Sequence, residues 1–277
     1  MTVFLTTPDS LTEHTIQREG CTVHYWLAGP EDRPLVVMMH GATMDHRMFN
    51  AQVDALLPDY RVLVWDARGH GKSLPNQTAG TLETYARDML AILDELSVDQ
   101  CVVVGQSMGG YIAQKLYQIA PQRVQAMVQI GTTPIAKAYN PLEIWTLKFT
   151  MPLFNIMPYG MFKKMVANAT SIVPDVQAYA VAAVNQIPHE EFLRVWKTIT
   201  LAIDSKGMPD FKIKVPLLLM HGDQDKTGTI RRDMPKWTDI DPQAEYHVIP
   251  DAGHNANQDN PARANALLLD FLKRHVG

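Results

Sequence analysis

The chain has 277 residues, which is enough for one large α/β domain with an insertion. Its 25 Lys and Arg residues against 29 Asp and Glu give a formal net charge of −4, and no run of like charges marks a basic surface, so we expect no nucleic-acid partner. The longest apolar run, residues 178–184, is far shorter than the roughly 18 to 20 residues of a membrane-spanning helix. The first residues lack the features of a signal peptide, and we therefore expect a cytoplasmic location.

The chain begins with a predicted antiparallel hairpin, residues 14–17 and 21–27, whose two β-rich runs are separated by a short polar turn. Short apolar runs follow at residues 35–39, 61–65, 101–104 and 124–130. Residues 81–96 have the three-to-four spacing of an amphipathic helix. Alternating strands and helices, with strands apolar on both sides, predict an α/β fold with a mostly parallel sheet and helices on both faces.

This alternation stops after residue 133. Residues 134–212 contain helical pieces that we expect to be broken by Pro141, Pro152, Pro158, Pro174 and Pro188. Strands are then expected at residues 215–220 and 246–249, followed by a helix with Asn260 as N-cap and Pro261 in its first turn. We therefore predict a core formed by residues 1–133 and 213–277, and a helical cap formed by residues 134–212.

The two cysteines, Cys21 and Cys101, lie in β-like runs and are expected to be small buried side chains. His, Cys and carboxylate residues do not cluster along the sequence at the spacing of metal ligands. We therefore expect no metal and no cofactor.

A Gly-x-Ser-x-Gly motif, Gly105 to Gly109, connects an apolar strand directly to a helical segment. This order of strand, tight turn and helix is typical of a nucleophile elbow, in which the turn exposes a serine hydroxyl. Ser107 is therefore the candidate nucleophile.

A serine nucleophile needs a base and an acid that orients the base. His254 follows the last predicted strand, and Asp223 and Asp225 both follow the strand before it. The carboxyl ends of parallel strands meet at one edge of a sheet. We predict His254 as base and Asp225 as acid, with Asp223 as the alternative acid. Asp225 is preferred because Asp223 directly follows Gly222 and therefore suits a turn-capping role.

Acyl transfer also needs hydrogen-bond donors for the oxyanion. The backbone N–H groups of Ala42, after the strand at residues 35–39, and Met108, after the candidate nucleophile, are the predicted pair. His40 is interpreted as bracing this loop. Residues 66–73 are interpreted as a structural loop tied by Asp66 and Arg68, because their spacing matches neither a P-loop nor a dinucleotide fingerprint.

With these motifs the chain resembles the α/β-hydrolase superfamily, in particular its compact bacterial branch of carboxylesterases, cofactor-free haloperoxidase-type perhydrolases and enol-lactone hydrolases. The resemblance covers residues 14–133 and 213–277. It implies Ser107 as nucleophile, His254 as base, Asp225 as acid, and Ala42 and Met108 as oxyanion donors. A serine at the elbow argues against epoxide and haloalkane hydrolysis, which use a carboxylate nucleophile in this superfamily.

These observations predict a serine hydrolase that cleaves a small, apolar carboxylic ester or lactone through an acyl-enzyme. Alternatives that the same residues support are hydrolysis of a carbon–carbon bond, cofactor-free perhydrolysis, or ligand sensing with slow turnover. The expected partner is a small molecule, and the sequence indicates no particular oligomeric state.

Overall fold

The computed structural model describes residues 4–78, 80–202 and 207–276. Its centre is a sheet of eight strands in the order β1-β2-β4-β3-β5-β6-β7-β8. The strands are β1 (Thr12–Arg18), β2 (Cys21–Ala28), β3 (Leu35–Met39), β4 (Arg61–Asp66), β5 (Cys101–Gln106), β6 (Val124–Ile130), β7 (Leu217–Gly222) and β8 (Glu245–Ile249). Strand β1 pairs antiparallel with β2, and β2 with β4, whereas the other pairs are parallel. The predicted hairpin and mostly parallel sheet are confirmed.

Eleven α-helices occur in the described residues. They are α1 (Asn50–Leu56), α2 (Leu82–Glu95), α3 (Met108–Ile119), α4 (Pro141–Ile156), α5 (Tyr159–Thr170), α6 (Pro174–Asn185), α7 (His189–Ala202), α8 (Ile230–Asp233), α9 (Trp237–Ile240), α10 (Ala256–Asp259) and α11 (Pro261–His275). Short 3-10 helices span His46–Phe49 and Pro121–Arg123. Among these described helices, none combines the length and apolarity that crossing a membrane requires.

The sheet is covered on both faces because its central strands are apolar on both sides. On β5, Val103 packs into the layer that contains α2 and α3, whereas Val102 and Val104 pack into the layer that contains α1 and α11. All six residues of β5 are buried. Because helices cover both faces of the sheet, the loops that can form a site lie at the edge where the carboxyl ends of the parallel strands meet.

Local signals account for several boundaries. Helix α2 begins after Thr81, whose side chain accepts a hydrogen bond from the N–H of Thr84 in a capping box. Helix α11 begins after Asn260, whose side chain accepts from Arg263 N–H, as predicted. Strand β7 begins at Leu217, two residues later than predicted; Pro216, just before it, has no N–H to donate to a neighbouring strand.

Helices α4 to α7 lie between β6 and β7 in the chain, as the predicted helical insertion requires. The expected break at Pro152 is wrong, because α4 continues through this residue. A proline inside a helix leaves the carbonyl four residues earlier without its donor, and here both Lys148 and Pro152 are exposed, so water can reach that carbonyl. The exact division into a core and a cap of residues 134–212 stays a prediction.

The loop of residues 66–73 differs in part from the sequence interpretation. Asp66 ties the loop as expected, because its Oδ2 accepts from the N–H of Lys72 at 2.7 Å. The side chain of Arg68 instead extends away from the loop and forms a buried bidentate ion pair with Asp88 of α2, with N···O distances of 2.6 and 2.8 Å. Arg68 therefore fastens the loop to a helix rather than closing the loop on itself.

Candidate active site

Ser107 occupies a strained turn between β5 and α3. Its backbone has φ 50° and ψ −113°, in the left-handed half of the map that residues other than glycine rarely adopt. A Cβ at Gly105 would collide with the backbone of Gly109 and Gly110, and a Cβ at Gly109 would collide with the Met39 carbonyl. The two glycines of the motif are therefore required by the close approach of α3 to the sheet.

His254 and Asp225 form a buried pair in the loops that follow β8 and β7. His254 Nδ1 lies 2.9 Å from Asp225 Oδ2, and the two residues are only 4% and 3% exposed. The other oxygen of Asp225 accepts from the Thr227 N–H at 2.8 Å. Burial is the largest single effect and favours the neutral acid, but His254 and the hydrogen bonds from Thr227 together outweigh it and hold the pKa of the Asp225 carboxyl below its ordinary value. Asp225 is therefore held as an anion against the imidazole.

Asp223, the alternative acid, has a different contact. Its Oδ1 accepts from the N–H of Ala252 at 3.1 Å, and its own N–H donates to the Ile249 carbonyl at 2.9 Å. Asp223 thus joins the ends of β7 and β8. The structure brings Asp225, rather than Asp223, to His254.

Ser107 and His254 line one cavity of about 730 Å³. Gln106, next to Ser107, donates from its side-chain amide to the carbonyl oxygen of His254 at 3.1 Å, which ties the elbow to the histidine loop. A large part of the cavity wall comes from α4, α5 and α7, with apolar side chains such as Leu147 and Phe162. The candidate nucleophile and base therefore face a space suited to a small, largely apolar molecule.

The loop after β3 brings Ala42 to the same cavity. The N–H of Met44 donates to the Gly41 carbonyl at 3.2 Å, and Thr43 has a positive φ of 67° inside this turn. Such a turn does not use the N–H of Ala42, which stays available to a ligand. Met108 is the first residue of α3, where backbone N–H groups have no acceptor within the helix.

His40 braces this loop. Its Nε2 accepts from the Ala67 N–H at 3.0 Å and its Nδ1 contacts the Gly41 carbonyl at 2.8 Å, so His40 connects the ends of β3 and β4. Complete burial lowers the pKa of His40, which keeps the imidazole neutral and able to accept. These contacts agree with the bracing role inferred from the sequence.

Sequence reasoning missed Asp259. Its carboxylate accepts hydrogen bonds from the N–H of Gly253 at 2.7 Å, from the N–H of Ile172 at 3.2 Å, and from the Ser171 hydroxyl. Burial raises the pKa of this carboxyl above its ordinary value. Asp259 therefore joins the residue before His254 to the connection between α5 and α6. The run of polar residues after His254 is the signal that could have identified it.

Three potential metal ligands lie close together in the structure, while the expectation that no metal is needed stays a prediction. Asp45, His46 and Asp66 bring three ligand atoms within 4.8 Å of one another, in a buried position. Asp66 Oδ1 accepts from the backbone N–H of His46, and Arg47 holds both carboxylate oxygens of Asp45. The strands β3 and β4 bring these residues together from separate loops. We interpret the cluster as a hydrogen-bond network that fixes the loop after β3.

Comparisons with known proteins agree with this architecture. The family model for the alpha/beta hydrolase fold matches residues 34–146. A curated relative from Acinetobacter baylyi, 3-oxoadipate enol-lactonase 1, is 40% identical over 265 residues, which cover 92% of this chain and 95% of that protein. A 2-hydroxy-6-oxononadienedioate/2-hydroxy-6-oxononatrienedioate hydrolase from Cupriavidus pinatubonensis is 29% identical over 86% of both chains.

The solved structures support the same fold. The enol-lactonase from Burkholderia xenovorans LB400 superposes with a TM-score of 0.82, at 23% identity, over 94% of this chain and all of that one. Three findings indicate the same family: the motifs in the sequence, the topology of the sheet, and the relative that is 40% identical over nearly its whole length. The chain belongs to the α/β-hydrolase superfamily.

Proposed function

We propose that this protein is a serine hydrolase that cleaves a small carboxylic ester or lactone through a covalent acyl-enzyme. The observation that carries the proposal is the arrangement around the cavity: Ser107, on a strained elbow, shares the cavity with His254, whose imidazole is held by the buried carboxylate of Asp225. These are the chemical parts that an activated serine requires.

In the proposed mechanism, the Oγ of Ser107 attacks the carbonyl carbon while His254 accepts the hydroxyl proton. Asp225 accepts from the Nδ1–H of His254, which leaves Nε2 as the basic nitrogen. The N–H groups of Ala42 and Met108 stabilise the tetrahedral oxyanion. Collapse expels the alcohol, which takes the proton from His254, and the acyl group stays on Ser107.

The second half-reaction uses the same groups. His254 takes a proton from water, the resulting nucleophile attacks the acyl carbon, and the tetrahedral intermediate releases the acid and the Ser107 hydroxyl. In a lactone, the alcohol and the acid belong to one molecule, so the product is a single hydroxy acid or its keto form.

The cavity and the relatives support the proposed substrate class. The walls are mainly apolar, and the relative that is 40% identical is named for an enol-lactone. We propose that residues 134–212 form a cap that selects the substrate, since α4, α5 and α7 supply a large part of the wall. The predicted cytoplasmic location and the predicted lack of a nucleic-acid partner stay predictions.

Hydrolysis of a carbon–carbon bond is the second candidate, because the relative named for 2-hydroxy-6-oxononadienedioate is 29% identical. The same serine, histidine and oxyanion donors can serve that reaction. Perhydrolysis and slow-turnover ligand sensing are the remaining alternatives.

The test is hydrolysis of p-nitrophenyl esters, from acetate to long acyl chains, and of an enol-lactone. The wild type is compared with Ser107→Ala and with Ser97→Ala, a control serine that also has a positive φ but lies on the exposed end of α2. We expect Ser107→Ala to lose at least about 10³-fold in kcat and Ser97→Ala to keep it. A 2-hydroxy-6-oxo dienoate is assayed alongside, and activity of the wild type on this carbon–carbon substrate only would favour the second candidate. Equal ester hydrolysis by all three proteins would refute the nucleophile.

A further inference from the structure

Helix α4 is apolar on two opposite sides. Its inner side, which includes Leu147, Thr150 and Phe154, lines the cavity. Its outer side carries large apolar residues that are 42% to 79% exposed: Trp145, Phe149, Leu153 and Ile156. These four follow one another at spacings of three and four, so they form a single stripe along the helix. Leu142, which is 70% exposed, also lines the cavity and is not counted with this side.

Helix α5 packs against α4 through Phe162 and Phe154, whose ring centroids are 5.2 Å apart, and adds Met161, which is 61% exposed. On α4 the rings of Trp145 and Phe149 stack with centroids 5.4 Å apart. We call this stripe together with Met161 the outer face. An apolar surface of this extent is unusual on a protein that has only water for a neighbour, and it indicates an interaction site.

The charged residues within the segment that carries the outer face are all lysines. Residues 144–170 contain three lysines and no Asp or Glu, although the whole chain has a net charge of −4. Lys148 and Lys164 are exposed, and Lys163 lies 4.5 Å above the ring of Tyr159. Glu143, at the start of α4, is paired with Arg232. The outer face is therefore apolar, aromatic and cationic.

We propose that the outer face docks on an anionic lipid surface, with α4 lying in the plane of the headgroups. Trp and Phe side chains on an apolar stripe flanked by lysines are the features that hold a helix at such a surface. A second copy of the chain fits less well, because a symmetric contact brings the same lysines together without carboxylates on the face to pair with them. Docking leaves the cavity on the opposite side of α4 from the lipid, about one helix diameter of 10 Å away.

The test is cosedimentation with phosphatidylcholine vesicles and with vesicles that also contain phosphatidylglycerol, at low ionic strength. The protein is used as wild type and as Ser107→Ala, so that binding is measured whether or not the protein hydrolyses esters. Tryptophan emission, to which the 62% exposed Trp145 contributes together with four other tryptophans, gives a second readout, since insertion of Trp145 shifts it to shorter wavelength. We expect binding to the anionic vesicles, weak binding to the neutral ones, and loss of binding at high salt.

Two variants test the two properties of the face. Phe149→Asp removes an apolar contact and is expected to weaken partitioning by about tenfold or more. The double variant Lys148→Glu, Lys164→Glu is expected to weaken partitioning to the anionic vesicles by at least about 25-fold, from about fivefold per lysine. Val248→Asp is the matched control, because Val248 is also an exposed apolar residue, at 43%, but lies on β8. Its partitioning is expected to equal that of the wild type, and circular dichroism checks that each variant is folded.

Several results would overturn the proposal. These are no binding to the anionic vesicles, equal binding to neutral and anionic vesicles, or undiminished binding by the folded lysine variant. A concentration-dependent dimer in analytical ultracentrifugation that Phe149→Asp dissociates would assign the face to a second copy of the chain instead.

Discussion

Asp225 Oδ2 lies 2.9 Å from Nδ1 of His254, and both side chains are almost fully buried. A carboxylate in this position requires a proton on Nδ1, which leaves Nε2 unprotonated and able to act as a base. The pKa of the Asp225 carboxyl lies below its ordinary value because His254 and the hydrogen bonds from Thr227 together outweigh the effect of burial. The orientation of the imidazole therefore depends on one buried anion.

Replacing Asp225 by Asn tests this dependence. An amide can donate to Nδ1 and so favours the wrong tautomer, and we expect kcat for an ester to fall by about 10³- to 10⁴-fold at neutral pH. Asp223→Asn is the matched control, since its amide oxygen can still accept from the Ala252 N–H. It is expected to lose less than about tenfold. Steady-state kinetics of both folded variants make the comparison, and a larger loss for Asp223→Asn would contradict the assignment of the acid.

Asp259 is expected to act as a positioning residue for His254. Asp259→Ala removes the acceptor of the Gly253 N–H and frees the histidine loop, so kcat should fall by about 10²-fold with little change in KM. Asp259→Asn retains an acceptor oxygen and should recover most of the rate. Asp270→Ala, at an exposed carboxylate paired with Arg274, is the control. If Asp259→Ala lowers thermal stability but leaves kcat unchanged, the residue serves only the fold.

His70 makes stability depend on pH. Burial and the neighbouring His40 lower the pKa of His70 from its ordinary value of 6.5 to about 3. Between these values the unfolded chain binds a proton that the native state does not, so the free energy of unfolding falls as the pH falls. One such group accounts for up to about 1.4 kcal/mol per pH unit in this window.

Urea unfolding of wild type and His70→Gln at several pH values between 4 and 7 measures this contribution. The variant is expected to be less stable at pH 7, because the glutamine is not shaped for the site, but to lose less stability on acidification. His247→Gln, at a partly exposed histidine on β8, should keep the slope of the wild type. If the free energy of unfolding depends on pH in the same way in wild type and His70→Gln, His70 is not held neutral in the native state.

Leu147 on the inner side of α4 is expected to limit the length of the acyl group. Leu147→Trp fills part of the cavity, and kcat/KM for the longest accepted p-nitrophenyl ester should fall about tenfold or more relative to acetate. Leu153→Trp, on the outer side of the same helix, is the control and should leave the chain-length profile unchanged. An unchanged profile for Leu147→Trp would place the acyl group elsewhere in the cavity.

The sequence was most informative where local chemistry decides the structure. The β-rich runs of the hairpin, the apolar runs of β3 to β6, the N-cap Asn260 and the tight Gly-x-Ser-x-Gly turn each have a local physical cause, and the fold class could be predicted from them. The candidate residues Ser107 and His254 could be selected because each follows a strand at the same edge of a parallel sheet.

Contacts between distant segments could not be predicted in this way. Three such contacts join residues whose spacing in the sequence gives no indication that they meet. They are the ion pair of Arg68 with Asp88, the cluster around Asp66, and the hydrogen bonds of Asp259 to the α5–α6 connection. The continuation of α4 through Pro152 depends on the exposure of the helix there, which only the tertiary structure reveals.

The most direct test of the central claim is labelling by a fluorophosphonate, which reacts with activated serines, followed by peptide mapping in a mass spectrometer. We expect one adduct per chain, on the peptide that contains Ser107, with a rate that falls strongly in His254→Ala and that is abolished in Ser107→Ala. An adduct on another residue, or ester hydrolysis that continues while Ser107 stays unlabelled, would contradict the proposed mechanism.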